Sequence, residues 1–305
     1  MDDLHLLPKF RDAISSLYVE HAKIDRHEKS IAIHDAAGFT PVPAASLAVL
    51  MLGPGTNITQ SAITTLAENN CLVVWCGEEN VRFYAFGTGG TRSAEPLLLQ
   101  ARLASSETTR LEVVKRMYRM RFQDDLEPGL TVEQLRGMEG YRVRSTYARF
   151  SRETGIPWSG RNYERDDWYA ADPVNRALSC ANSCLYGVCH AAMLSVGYCP
   201  AIGFIHTGKQ LSFVYDIADL YKAEITIPLA FEMAAKVTDN LERAVRLRCR
   251  DLFRERRLIQ RIVPDIHKCL GTDAGTEPFA PDEDPALPTD LWTPEDERSG
   301  ITDQE

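Results

Sequence analysis

The sequence lacks a long apolar run, and this absence bears on where the protein works. Across its 305 residues, no apolar stretch approaches the roughly 20 residues that a membrane-spanning helix needs. The first residues, Met1 to Arg11, mix acids, bases and a proline, so we expect no signal peptide. We therefore expect the eight cysteines to be free thiols. Together these features predict a cytoplasmic protein without a membrane partner.

The sequence also lacks an excess of positive charge, which at first argues against a nucleic-acid partner. The formal net charge is −9. However, residues 273–305 hold eleven acids and one base, and the rest of the chain has 32 acids and 33 bases. The acidity therefore belongs to the C-terminal segment, and basic patches can exist elsewhere. Because this segment is rich in proline and poor in apolar residues, we predict a disordered acidic tail over residues 271–305.

The order of the hydrophobic patterns predicts an α+β protein. Short apolar runs separated by turn signals over residues 1–86 are typical of a small β-sandwich-like domain. A glycine-rich linker is predicted at residues 87–91. Over residues 92–270, apolar residues recur at three- and four-residue steps, which predicts a larger all-α domain.

One polar stretch interrupts apolar sequence in the helical part of the chain. His206 follows Phe204-Ile205, and Asp216 and Asp219 lie three residues apart on a helix predicted over 212–222, with Ser212 as its N-cap. Such an acid pair is most often a solvated helix face. Paired carboxylates next to an imidazole are also hard ligands suited to Mg²⁺ or Mn²⁺. The proximity of these charges to the core favours the second interpretation.

Two further patterns allow alternative interpretations. Glu139 is flanked by Gly137 and Gly140 inside a predicted helix, which fits either a tight helix crossing or close approach of a nucleic-acid backbone. Residues 241–261 carry eight arginines, six of which step by three or four residues. We call these six the arginine stripe: Arg243, Arg246, Arg250, Arg254, Arg257 and Arg261. It is either a solvated face or a phosphate-binding surface, and its few acids favour phosphate.

Three motifs resemble a known family, the CRISPR adaptation integrases, and most of all its type I-E branch. The first is His206-Thr-Gly-Lys followed by Ser-Phe-Val-Tyr-Asp216-Ile-Ala-Asp219. The second is Gln-Leu-Arg-Gly-Met-Glu139-Gly-Tyr-Arg-Val-Arg, and the third is Ser-Cys-Leu-Tyr186-Gly. The resemblance extends over about residues 10–265 in the same order.

This resemblance implies a metal-dependent DNA integrase and endonuclease whose helical domain is catalytic. The residues that match the family's site are Glu139, His206 and Asp219, which would bind one Mg²⁺ or Mn²⁺ ion per active site, with Asp216 supporting them. The reaction implied is attack of a prespacer 3′-hydroxyl on the boundary of a CRISPR repeat, by transesterification. Water as the nucleophile would cleave DNA instead.

The resemblance also implies partners and a DNA-binding surface. We expect a homodimer that binds a small ferredoxin-like CRISPR adaptation protein, duplex DNA with single-stranded 3′ ends, and CRISPR repeat DNA. The residues that match DNA-binding positions are Arg82, Arg110, Arg161, Tyr186, Lys209, Tyr215, Lys222, Arg243 and Arg246. His21 departs from the family, whose close relatives carry a tyrosine there that separates the DNA ends. Two other functions stay open: a stand-alone DNA repair nuclease and a non-catalytic DNA-binding scaffold.

Overall fold

The structure is a computed structural model, and it describes residues 16–77, 83–87, 94–122, 127, 129–161 and 172–272. The chain divides into a compact unit Met1–Ala274 and a second unit Gly275–Glu305. Arg82, most of the predicted linker and nearly all of the predicted tail lie outside the described residues. The linker, the tail and the domain boundaries therefore stay predictions.

The N-terminal region forms two four-stranded sheets. The first sheet has the strand order β1-β5-β7-β8, in which β8 alone is antiparallel to its neighbour, and the second has the order β4-β3-β2-β6, in which β6 is parallel to β2. The strands are β1 Leu17–Val19, β2 Lys23–His27, β3 Ser30–Asp35, β4 Gly38–Pro43, β5 Val49–Leu52, β6 Asn57–Ile58, β7 Leu72–Cys76 and β8 Phe83–Gly87. The predicted fold class, a β region followed by a helical region, is confirmed.

Strand β5 shows why the inner strands of the first sheet consist almost entirely of apolar residues. Side chains on a strand alternate between its two faces. Leu50 and Leu52 pack with both sheets and with helix α1, Gln60–Glu68, in one core. Val49 and Met51 point the other way and join the core of the helical region. Both faces of the strand are therefore buried, and no polar position remains.

In the described part of the helical region, seven helices lie around a central one, α5 Pro173–Ser195. The seven are α2 Glu95–Ser105, α3 Glu107–Arg121, α4 Val132–Thr154, α6 Ser212–Ala218, α7 Thr226–Lys236, α8 Leu241–Glu255 and α9 Leu258–Leu270. Helix α5 packs against α6, α7, α8 and α9, and it also contacts β5. A methyl group in place of Gly187 on α5 would lie 3.7 Å from Val49. The central helix thus joins the sheet to the other helices.

Helix α5 corrects the expectation that no segment is long and apolar enough to span a membrane. By length and composition alone this helix passes that test. However, 67% of its most apolar window is buried inside the protein. Its apolar character is thus accounted for by its place in the core.

The arginine stripe does not lie on one helix, so that part of the prediction is wrong. Helix α8 ends at Glu255, and Arg257 begins α9 with a left-handed backbone, φ 50°. The buried positions explain the break, because Phe253 is followed five residues later by Leu258, which does not continue the same helical face. Arg261, on α9, is bound by both Glu224 oxygens at 2.9 and 3.0 Å.

We predict opposite effects for two glycine substitutions at this break. Arg257→Gly should leave the free energy of unfolding unchanged or raise it, because a left-handed residue other than glycine costs about 1–2 kcal/mol. Arg254→Gly, at an exposed position within α8, should lower it by about 0.5–1 kcal/mol. Urea unfolding of the two variants measures the difference. Equal destabilisation by both would contradict the described break.

Candidate active site

The three predicted ligands lie around Arg121, where helices α3, α4 and α6 meet the loop between α5 and α6. Glu139 lies on α4, His206 on the loop, and Asp219 at the end of α6. Nε2 of His206 lies 3.9 Å from Oδ2 of Asp219. Arg121, at the end of α3, lies 3.6 Å from Glu139 and 3.5 Å from Asp219. One guanidinium thus faces both carboxylates.

Asp216 organises the loop that carries His206. Its side chain is fully buried. One oxygen accepts hydrogen bonds from the amides of Phe204 and Ile205, at 2.6 and 3.1 Å, and the other accepts the His206 amide at 2.8 Å. The same second oxygen lies 2.7 Å from His206 Nδ1. A buried carboxylate needs such donors, and here they fix three consecutive residues of the loop.

This contact determines which nitrogen of His206 is available. Because a carboxylate offers only acceptor oxygens, a neutral His206 has its hydrogen on Nδ1 and its lone pair on Nε2. Nε2 and the Asp219 oxygen are then two acceptors facing each other, with no hydrogen between them. Two donors that each lie about 2.1 Å from one octahedral ion are about 3.0 Å apart when adjacent and about 4.2 Å apart when opposite. Their 3.9 Å separation therefore calls for a small side-chain movement before both could bind one divalent cation.

Asp219 is held ionised by its cationic neighbours. Its Oδ1 lies 2.6 Å from Lys222 Nζ. Burial alone would raise the pKa of the Asp219 carboxyl, but the charges of Lys222 and Arg121 outweigh burial and hold that pKa below its usual value. Burial acts to lower the pKa of Lys222, and Asp219 raises it above its usual value overall. The pair is therefore a carboxylate and an ammonium at neutral pH.

Both oxygens of Glu139 are engaged by Arg142, one turn further along α4. Nε of Arg142 donates to Oε2 at 2.8 Å, and Nη2 donates to Oε1 at 3.0 Å. Within the residues that the structure describes, no three His, Cys, Asp or Glu side chains are grouped so as to hold a metal ion. The donor types nevertheless suit Mg²⁺ or Mn²⁺.

Arg121 is the functional residue that was not identified from the sequence. Its side chain is only 4% exposed. Besides the two carboxylates it meets the Asp216 carbonyl at 3.4 Å and the Tyr118 ring at 5.2 Å. Its Nε is buried and has no hydrogen-bond partner among the described residues. The sequence signal that could have found it is its spacing, four residues after Met117 and three after Tyr118, which places it on the buried face of α3.

Helix α6 is shorter than predicted and begins differently. It ends at Ala218, and Leu211 rather than Ser212 is its N-cap. The Ser212 hydroxyl instead accepts the Lys209 amide at 3.0 Å and donates to the Lys209 carbonyl at 2.8 Å. The serine therefore closes the turn that holds Lys209 rather than capping the helix.

Four of the predicted DNA-binding residues form a rim beside His206. The rings of Tyr186 and Tyr215 meet edge to face, with centroids 5.0 Å apart. Lys222 Nζ lies 4.9 Å above the Tyr186 ring, and Lys209 Nζ lies 6.0 Å from the Tyr215 ring. The Tyr215 and His206 rings are 5.9 Å apart. Cations and aromatic faces are thus combined next to the candidate ligands.

The other predicted DNA-binding residues have varied surroundings. Arg110 donates to the Phe204 carbonyl at 2.9 Å and so supports the loop from below. Arg161 contacts Asn175 at 3.5 Å, and Arg246 lies 4.3 Å above the Tyr18 ring. Arg243 is exposed on α8. Arg82 lies outside the described residues.

The glycines beside Glu139 do not serve a helix crossing in this chain. Among the described residues, a methyl group at Gly137 would meet no atom within 4 Å, and one at Gly140 would meet only the end of Arg144. This finding removes the crossing as an explanation. Close approach of a nucleic-acid backbone stays a prediction.

Comparison with known proteins identifies the family. The profile described as "CRISPR associated protein Cas1" matches residues 17–127 and 120–242. The chain is 53% identical to the CRISPR-associated endonuclease Cas1 2 of Thermus thermophilus, over 98% of this chain and 92% of that one. It is 46% identical to the CRISPR-associated endonuclease Cas1 of Geobacter sulfurreducens, over 90% of each chain.

A solved structure agrees with these matches. The TtCas1 chain of a TtCas1–DNA complex superposes with a TM-score of 0.78 at 52% identity, covering 86% of this chain and 94% of that one. The fold, the order of the motifs and the sequence matches all agree. The chain therefore belongs to the Cas1 family of CRISPR-associated endonucleases.

Proposed function

We propose that this protein is a metal-dependent DNA integrase and endonuclease of CRISPR adaptation, of the type I-E branch. The observation that carries the proposal is the arrangement Asp216–His206–Asp219, in which one carboxylate fixes the imidazole and the other faces its free lone pair at 3.9 Å. A hydrogen-bonded histidine of this kind is typical of metal ligands.

Glu139, His206 and Asp219 would hold one Mg²⁺ or Mn²⁺ ion. When bound, such an ion polarises a scissile phosphodiester and stabilises the charge that develops on its oxygens. Because Nδ1 of His206 is bonded to Asp216, Nε2 is its only lone pair. The residue cannot bind an ion and accept a proton at the same time, and we assign it the ligand role.

The rim residues position the DNA. Lys209 and Lys222 provide positive charge for backbone phosphates, while Tyr186 and Tyr215 offer ring surface for unstacked bases. Duplex DNA with single-stranded 3′ ends and CRISPR repeat DNA are the proposed substrates. The structure of the TtCas1–DNA complex, a relative at 52% identity, supports DNA binding.

In the proposed reaction, the 3′-hydroxyl oxygen of a prespacer attacks a phosphorus atom at the repeat boundary. One P–O bond forms and the P–O bond to the neighbouring 3′-oxygen breaks, and the proton lost by the attacking hydroxyl is balanced by one gained on the leaving oxygen. With its proposed partner, a homodimer of this chain should join a prespacer to a repeat-bearing plasmid. A prespacer with dideoxy 3′ ends, which lacks the nucleophile, should give no joined product. Joining from dideoxy ends would contradict this chemistry.

The assembly and its location are also part of the proposal. The partner is a small ferredoxin-like protein, and the complex works in the cytoplasm. The support is the family resemblance together with the sequence features described above. Purification of the chain with the partner, followed by light scattering, tests the assembly directly.

We predict that Glu139→Gln, His206→Ala and Asp219→Asn each reduce integration at least 100-fold. Each variant removes one of three protein ligands, which should collapse ion affinity or geometry. Glu133→Gln, an exposed acid in the first turn of the same α4 helix, is the matched control and should be near wild type. The plasmid assay at fixed Mn²⁺ measures all four. Near-normal integration by Asp219→Asn would disprove the ligand assignment.

Asp216→Asn should damage the fold as well as the activity. The amide side chain can no longer accept from all four donors, and each buried unsatisfied donor costs about 1–3 kcal/mol. We therefore expect the free energy of unfolding to fall by about 3 kcal/mol. Asp219→Asn, whose acid accepts from no backbone amide in the described structure, should cost less. Equal stabilities in thermal unfolding would refute the organising role of Asp216.

Replacing Arg243 and Arg246 together by glutamine should weaken DNA binding without regard to sequence. If each contacts one phosphate, the slope of log affinity against log salt concentration should become less negative by roughly 0.9 for each of the two lost contacts. Arg26→Gln with Lys29→Gln, two exposed basic positions outside the proposed surface, is the control with equal charge. Fluorescence anisotropy on two unrelated duplexes gives the slopes. An unchanged slope would mean that this face is only solvated.

A further inference from the structure

Arg142 stands out because it binds a proposed metal ligand although no proposed function uses it. Its guanidinium makes a two-pronged ion pair with Glu139, at 2.8 and 3.0 Å, and thereby engages both carboxylate oxygens. Arg121 adds a second positive charge 3.6 Å from the same carboxylate. Glu139 is therefore already neutralised by two arginines.

The two arginines differ in their freedom to move. Arg121 is 4% exposed and is also held by the Asp216 carbonyl and the Tyr118 ring. Arg142 is 26% exposed, and besides Glu139 it lies 5.7 Å above the Phe122 ring. Its long side chain can leave Glu139 without abandoning a buried position.

A cleft of about 1200 Å³ opens beside Arg142. Six arginines, among them Arg142 and Arg121, and two acids line it. Five of the six arginines are already paired with carboxylates, so an anion that enters the cleft would take the place of a carboxylate partner, as a phosphate on Arg142 would replace Glu139.

A divalent cation on Glu139 and the Arg142 ion pair oppose each other. The cation needs a carboxylate lone pair and adds charge of the same sign as the nearby guanidinium. The guanidinium fork that fits a carboxylate fits a phosphate equally well. A released Arg142 therefore has an alternative partner wherever DNA lines the cleft.

We propose that Arg142 competes with the divalent cation for the carboxylate of Glu139, and that the released guanidinium binds a DNA phosphate. This inference rests on the proposed function, because it takes Glu139 as a metal ligand. By linkage, the cation and DNA then strengthen each other's binding by the same factor. Arg142 is thus the residue that couples the two.

The test uses Arg142→Gln and, as a matched control, Arg144→Gln, an exposed arginine on the same helix. Calorimetric titration with Mn²⁺ alone should give about tenfold tighter binding for Arg142→Gln, which corresponds to the loss of one charge-assisted competitor. Arg144→Gln should bind Mn²⁺ as the wild type does. Arg142→Lys, which keeps the charge but not the fork, should fall between the two.

The second measurement is DNA affinity by anisotropy, on a duplex with dideoxy 3′ ends, with and without Mn²⁺. Mn²⁺ should tighten DNA binding by about fivefold or more in the wild type and less than twofold in Arg142→Gln. Without Mn²⁺ the two should bind DNA alike, because Arg142 is then paired with Glu139. Arg144→Gln should keep the wild-type gain.

Two kinds of failure can be told apart. If wild type and Glu139→Gln bind Mn²⁺ equally, the proposed metal site is wrong and this inference falls with it. If Glu139→Gln binds weakly but Arg142→Gln has unchanged or weaker Mn²⁺ affinity, the metal site stands and the competition is refuted. Tighter Mn²⁺ binding with an undiminished DNA gain would refute the phosphate contact.

Discussion

The site depends on one buried carboxylate. Asp216 has no contact with solvent, and its charge is stabilised by three backbone amides and an imidazole. Loops are usually the mobile parts of a fold, but these hydrogen bonds fix the backbone of three consecutive residues, 204–206. Arg110 and Arg121 bind backbone carbonyls of Phe204 and Asp216, which ties the same assembly to α3. The direction of the His206 lone pair therefore follows from a structural interaction, not from the ligand set itself.

A balance of charge follows from that framework. Two carboxylates, Glu139 and Asp219, face three cations: Arg121 between them, Arg142 on one side and Lys222 on the other. Because positive and negative charges alternate, the cations offset the repulsion between the carboxylates of Glu139 and Asp219. The buried Arg121 is the fixed element of this arrangement. The two outer cations are more exposed, so the outer part of the site can rearrange while its centre keeps its shape.

Much of the fold was predictable because its helices and strands are strongly periodic. The helix predicted around Glu139 is α4, which spans 132–154, and the capping box between Thr131 and Gln134 explains its sharp start. The stretch 241–261 was wrongly predicted to form one continuous face. Its arginines recur at three- and four-residue steps across the break between α8 and α9, which neither glycine nor proline marks. The assembly of Glu139 with His206 and Asp219 could be expected only from the family resemblance, since periodicity carries no information on long-range contacts. The ion pair between Arg142 and Glu139 could have been predicted from the sequence, because the two residues are three apart on one helix.

The N-terminal sheet also contributes to the site, through the central helix. Gly187 faces strand β5, where a methyl in its place would lie within 3.8 Å of both Val49 and Met51. The preceding residue, Tyr186, lies about 100° around the helix and contacts Lys222 and Tyr215. The depth at which α5 packs on β5 therefore sets the position of the Tyr186 ring, and through Lys222 it also bears on Asp219. A shift of the sheet would move the aromatic rim relative to His206, because Asp216 holds His206 through hydrogen bonds that involve no residue of the sheet. The β region is thus part of what positions the candidate site.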